Sequence, residues 1–152
     1  MTVLLNNSAF RKNICGLGPV SKALGTLSAA TIAAFNIAGG EVLITNLWVK
    51  ITTSSTTNGG TIKVNNVPTA GNTMDIVAAL DIGTSDSVAG TVIGVDRTAA
   101  TAAAFLVGGR TDLMAVVTTG VVNVVGASSV NGAATIYALW VPLVDGATLV
   151  AA

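Results

Sequence analysis

The stretch that decides the fold is EVLITNLWVKITT, residues Glu41–Thr53. It contains no glycine or proline and is rich in Val, Ile, Leu, Trp and Thr, which suit a pleated strand. A helix would require apolar residues at three-and-four spacing, whereas period two divides this stretch into two faces. One face carries Leu43, Thr45, Leu47, Val49 and Ile51, and the other carries Val42, Ile44, Asn46, Trp48 and Lys50. We therefore predict a long strand near the middle of a sheet.

Glycine-containing turn signals flank this strand and recur along the chain. Gly39-Gly40 predicts a tight reversal from a strand at Thr31–Ile37 into the central strand, because glycine readily adopts positive φ. Asn58-Gly59 is the strongest hairpin signal, and Asn131-Gly132 is a second one. Further strands are predicted at Thr61–Asn65, Thr91–Val95 and Ala133–Leu143.

Three segments leave alternatives open. Thr73–Ile82 fits either a strand or a short helix, and its strand-rich neighbourhood favours the strand. Ala99–Val107 is a strand or a short helix, because its alanines favour a helix that would have barely two turns. Asp112–Thr119 and Val121–Val125 are either a tight hairpin or one long bulged strand, because only Gly120 separates them.

The strand count and spacing define the fold class. Seven to nine short strands with regular turn signals, and no alternation of strands with helices, are typical of a sandwich. We predict an all-β protein: an antiparallel β-sandwich, jelly-roll-like, formed by residues 31–152. Residues 1–30 show no persistent period and are predicted to form an extended N-terminal arm.

The composition excludes several classes of function. The chain has 152 residues, a formal net charge of zero and only 9% charged residues, against about 25% in ordinary domains. Such a neutral chain is expected to associate with copies of itself. The absence of a basic stripe disfavours nucleic-acid binding. The chain also lacks an apolar run long enough for a membrane-spanning helix or a secretory signal, so we expect no membrane association.

The residues that usually carry chemistry are scarce. The chain has no His and one Cys, Cys15, so nucleophilic triads, an N/S zinc site and a disulfide framework are not expected. Asp75, Asp81 and Asp86 are too irregularly spaced for a Ca²⁺ loop, and we interpret them as capping residues. We predict no catalytic, metal-binding or cofactor-binding residue, and no enzyme activity.

Two segments resemble a known family. NGGTIKVNNVPTAGNTMDIVAALDIGTSDSVAGTVIGV, which begins at Asn58, and WVPLVDGATLVAA, Trp140–Ala152, are similar to small decoration (cement) proteins encoded among the head genes of tailed bacteriophages. Trp140 stands where tyrosine is common in that pattern, and Val144 where an acidic residue is common. The shared positions are Lys63, Pro68, Thr69, Gly71, Asp75, Ile76, Ala79, Leu80, Asp81, Ile82, Gly90, Thr91 and Gly94.

The resemblance implies a structural virion protein. It would be a homotrimer on the exterior of an HK97-type capsid, bound to the major capsid protein and stabilising the shell through subunit contacts. Met1–Val20 is the candidate clamp to the shell. A phage tail or receptor-binding β module is the alternative. The candidate interface residues are Val3, Leu4, Leu5, Phe10, Arg11, Trp48 and Trp140.

Overall fold

A computed structural model of the chain describes residues 17–55, 60–82, 88–96, 104–107, 112–127 and 131–152. Within these ranges it contains strands and no helix, so no membrane-spanning helix is found among the described residues. The strands are β1 Leu17–Thr26, β2 Thr31–Ala38, β3 Val42–Thr53, β4 Thr61–Pro68, β5 Met74–Asp81, β6 Val92–Asp96, β7 Ala104–Val107, β8 Asp112–Val117, β9 Gly120–Ala127, β10 Ala133–Pro142 and β11 Thr148–Ala151.

The strands form two antiparallel sheets. Sheet A has the order β1-β10-β3-β6-β7, with β8 also paired to β3, and sheet B has the order β11-β2-β9-β4-β5. The pairing is nested, because β1 pairs with β10, β2 with β9, β3 with β8 and β4 with β5. A long antiparallel ribbon rolled into two sheets has this connectivity, which confirms the jelly-roll-like sandwich.

The hydrophobic core lies between the sheets. Buried residues alternate along β10, where Ala134, Ile136, Ala138 and Trp140 face inward. Sheet B contributes Ile62 and Val64 from β4 and other apolar side chains from β2 and β9. Burying these side chains is the main favourable contribution to folding.

The central strand β3 is interrupted by a bulge that the sequence analysis did not predict. Ile44 pairs with Trp140 and Asn46 pairs with Leu139, so Thr45 has no cross-strand partner on β10. The extra residue reverses the alternation, because two residues of one strand oppose one step of the other. The prediction that a period of two runs unbroken through this strand was therefore wrong. The buried set is Val42, Ile44, Leu47, Val49 and Ile51.

The tight reversal predicted at Gly39-Gly40 is confirmed, but the two predicted Asn-Gly hairpins were wrong, because the strands before and after each of them lie in different sheets. Gly39 and Gly40 do have positive φ, 76° and 143°, but they lead from β2 in sheet B to β3 in sheet A. Asn131-Gly132 similarly leads from β9 in sheet B to β10 in sheet A. Asn58-Gly59 lies outside the described residues, and the strands on either side of it, β3 and β4, are in different sheets.

The N-terminal boundary requires a correction as well. Residues 17–26 form β1, an edge strand of sheet A, so this part of the predicted arm belongs to the sandwich. Two register shifts, at Leu17/Val20 and Ala23/Gly25, interrupt the alternation that would have revealed the strand. Residues 1–16 lie outside the described ranges. The tail after Pro142 forms another unpredicted strand, β11, which pairs with β2.

The two segments that could have been strands or short helices are strands where the structure describes them. β5 covers most of Thr73–Ile82, and β7 covers the end of Ala99–Val107, whose residues 99–103 lie outside the described part. The segment around Gly120 is neither a hairpin nor a single bulged strand. β8 belongs to sheet A and β9 to sheet B, so the chain crosses between the sheets there.

Candidate assembly surface

The outward side of sheet A carries an apolar surface, which we call the outer A face. Its alternating positions on three paired strands are held in register, with Trp48 opposite Tyr137, Leu43 opposite Val141, and Leu43 opposite Val116. Because side chains alternate across a strand, these residues point away from the core. The outer A face comprises Leu43, Trp48, Met114, Val116, Tyr137, Leu139 and Val141.

An aromatic pair lies at the middle of this face. The rings of Trp48 and Tyr137 stack with centroids 5.2 Å apart and an interplanar angle of 3°. Both side chains are half-buried. Cross-strand aromatic pairs of this kind stabilise a sheet and present a rigid apolar surface at small conformational cost.

The periphery of the outer A face is the most exposed part. Met114 is 56% exposed and Val116 is 50% exposed. Among the side chains that the structure describes on this side of sheet A, Lys50 is the one that carries a charge. A partner covering the centre of the face, around Trp48 and Tyr137, would therefore bury mainly apolar area.

The outward side of sheet B differs in polarity. Asn65 pairs with Asn123 in the middle of the sheet, and Lys63 forms an ion pair with Asp75 at 3.0 Å. Lys63 and Asp75 are partly exposed and keep contact with water, whereas Asn65 and Asn123 are buried. The contrast between the two sides identifies the outer A face as the better candidate for protein contact.

The structure describes two of the seven predicted interface residues. Trp48 lies on the outer A face. Trp140 lies in the core with 6% of its surface exposed, so it offers a partner little area. We therefore leave Trp140 out of the proposed interface. The other five predicted residues lie outside the described ranges: Val3, Leu4, Leu5, Phe10 and Arg11.

Sequence reasoning missed the partner of Trp48. The sequence pattern placed Tyr137, Leu139 and Val141 on one face of a strand, but it could not show which face would be outward. Nor could it show that Tyr137 would lie opposite Trp48, nearly ninety residues earlier in the chain. The available signal was the period-two pattern of Thr135, Tyr137, Leu139 and Val141.

The carboxylates do not form a site in the described part of the chain. Asp75 lies opposite Asn65 and Asp81 opposite Thr61, so the two are separated along β5. No group of three or more His, Cys, Asp or Glu that could hold a metal ion occurs among the described residues. Cys15 and Asp86 lie outside them.

Comparisons of the chain with protein-family models, with curated proteins and with solved structures find no match.

Proposed function

We propose that this chain is a structural virion protein that associates with itself through the outer A face and decorates the exterior of a tailed-phage capsid. The observation that carries the self-association is the apolar surface around the stacked Trp48 and Tyr137. The virion location rests on the sequence resemblance to decoration proteins. The mechanism is burial of apolar area between subunits, without any chemical step.

A homotrimer on the shell is the proposed assembly. Cyclic symmetry closes the ring and covers the same apolar surface on every copy. No copy then leaves this surface exposed to recruit further subunits into an open filament. The low charge of the chain favours this arrangement, since few like charges keep the copies apart. The major capsid protein would then contact surfaces that the ring leaves free. The candidate clamp was Met1–Val20, and because β1 begins at Leu17 we now propose residues 1–16 for this role.

Self-association is tested by measuring mass in solution. Wild-type protein, Met114→Glu and Val150→Glu are compared by light scattering over a range of concentrations. The two replaced residues are similarly exposed, at 56% and 52%, but Val150 lies on β11 of sheet B. Wild type and Val150→Glu are expected to be trimers, and Met114→Glu to be monomeric. A wild-type chain that stays monomeric at high concentration would refute self-association.

The virion role is tested on particles. Electron microscopy of whole tailed particles incubated with the protein is expected to show added density on the outer shell. Deleting residues 1–16 is expected to weaken this binding while the sandwich remains folded. Density at the tail instead would support the tail or receptor-binding alternative, and absence of density from the particle would refute both.

A further inference from the structure

A cleft opens where the β4–β5 turn of sheet B meets β8 and the crossing into β9. Its volume is about 270 Å³, and its walls include Pro68, Ala70, Met74 and Val116. Val116 also belongs to the outer A face, so the cleft adjoins that surface. The walls are mainly apolar, which suits an apolar group rather than an ion.

A buried polar group with an unfilled hydrogen-bonding position lines this cleft. Asn66 is 2% exposed, and its Nδ2 donates to Thr118 Oγ1 at 3.4 Å. Its Oδ1 has no hydrogen-bond partner and is screened from solvent. A buried, unpaired amide oxygen costs free energy, so a group that completes its hydrogen bonding is favoured. The terminal torsion of asparagine is soft, so the amide can turn toward a group in the cleft.

The size of the cleft restricts what it can hold. Sites for drug-sized ligands usually measure about 300–1,000 Å³, and a cavity of about 150 Å³ accepts benzene. A space of about 270 Å³ therefore fits one aromatic side chain. Aromatic residues inserted into apolar recesses are common anchors of protein interfaces.

The Asn66 amide selects among aromatic side chains. A phenol hydroxyl both donates and accepts a hydrogen bond, so it can pair with either polar atom of the amide. Phenylalanine has no such group, and tryptophan can donate to the amide oxygen but cannot also accept from the amide nitrogen. Met74 adds a thioether, which packs favourably against aromatic rings. We propose that this cleft receives a tyrosine side chain of a partner protein, with the phenol hydroxyl hydrogen-bonded to Asn66.

The tyrosine comes from a different protein. This chain has a single Tyr, and Tyr137 is stacked on Trp48 in the outer A face. A second copy therefore has no free tyrosine to offer. The assignment of the partner as the capsid protein rests on the proposed function, whereas the affinity of the cleft for a phenol does not.

The test titrates the purified chain with p-cresol, which is the tyrosine side chain as a free molecule, and with toluene, which lacks the hydroxyl. Carbon-13 methyl NMR follows Met74 in the cleft and Val150 at the far edge of sheet B. We expect p-cresol to move the Met74 signal saturably and leave Val150 unchanged, with toluene binding about fivefold more weakly. Equal binding of the two compounds, or no saturable shift of Met74, would overturn the proposal.

Variants test the site independently. Asn66→Leu is expected to bind toluene and to lose the preference for p-cresol. Ala70→Trp, at an exposed position on the cleft rim, is expected to weaken p-cresol binding at least about tenfold by filling the space. Ala79→Trp, exposed on β5 outside the cleft, is the matched control and should bind as wild type. Ala70→Trp that still binds p-cresol normally would overturn the proposal even if Asn66→Leu does not fold.

The same two tryptophan variants separate this inference from the proposed function. Ala70→Trp is expected to abolish binding to capsids and to remain trimeric, while Ala79→Trp retains both properties. A trimer that binds capsids but not p-cresol would refute only the cleft assignment. A monomer that binds p-cresol would refute only self-association.

Discussion

Gly39 lies so close to the backbone carbonyl group of Gly146 that there is no room for a side chain between them. A Cβ atom on Gly39 would stand 3.0 Å from the Gly146 carbonyl carbon and closer still to its oxygen. This contact joins the crossing between β2 and β3 to the turn before β11. Two connections at the same end of the sandwich are thereby packed backbone to backbone.

Replacing these two glycines should have unequal effects on stability. Both have positive φ, 76° at Gly39 and 82° at Gly146, but a Cβ on Gly146 would meet nothing within 4 Å. Gly146→Ala is expected to lose about 1 kcal/mol of unfolding free energy through backbone strain alone. Gly39→Ala adds a steric overlap and is expected to lose roughly 3 kcal/mol. Urea denaturation measures both, and equal losses would contradict the close packing at Gly39.

Deletion of Thr45 should leave the protein folded, although it removes a residue from the middle of the central strand. Thr45 has no cross-strand partner on β10, and its Oγ1 is buried without a hydrogen bond. Without it, Ile44 and Leu47 remain on the buried face with Asn46 between them. We expect cooperative urea unfolding with a loss below about 2 kcal/mol.

Deletion of Leu43 is the matched control. Removing a residue outside the bulge shifts the register by one and turns the preceding residue Val42 from the core to the solvent side. This variant is expected to lose cooperative unfolding or to be recovered only in aggregates. If both deletions behaved alike, the bulge would not be the reason for the tolerance.

The stacked pair on the outer A face should be energetically coupled. Trp48→Leu, Tyr137→Leu and the double variant form a thermodynamic cycle, measured by urea unfolding at protein concentrations where the chain is monomeric. We expect a coupling of about 0.5–1.5 kcal/mol from the ring contact. Lys50 and Thr135, which also lie opposite each other on β3 and β10, provide the control pair. A Trp48–Tyr137 coupling no larger than the control value would contradict a stabilising stack.

The ion pair on sheet B should contribute little. Lys63 and Asp75 approach to 3.0 Å, but their side chains are 34% and 44% exposed. Solvent screens such pairs, so Asp75→Asn is expected to lose about 0.5 kcal/mol or less. In about 1 M salt the difference from wild type should vanish, as measured by urea unfolding. A loss above about 2 kcal/mol that persists in salt would indicate a structural role beyond the ion pair.

The fold class was predictable from local patterns, and the connections were not. Alternation identified β2, β3 and β10, and it also placed Ile136, Ala138 and Trp140 together on one face. The sequence could not distinguish a turn that closes a hairpin from one that crosses between sheets. Gly39-Gly40 and Asn131-Gly132 reverse the chain in either case, because positive φ is a local property while strand pairing depends on distant residues.

The candidate surface was predictable only in part. Trp48 was identified as an interface candidate, but Tyr137 was not, and Trp140 proved to be a core residue. A single strand shows which side chains share a face, but not whether that face is covered. Asn66 gave no signal in the sequence, because only the tertiary structure shows that its side chain is buried and that its amide oxygen has no hydrogen-bond partner.

By itself, the sequence determined that this chain forms strands, that they pack as a sandwich, and that few charges oppose its association. These properties follow from residue types and their spacing, which act over a few neighbours. Only the tertiary structure decided that the strands pair in nested order, that β3 changes face at Thr45, and that Trp48 meets Tyr137. Those outcomes depend on which distant strands share hydrogen bonds, and the register of one strand against another is set by packing of the whole core.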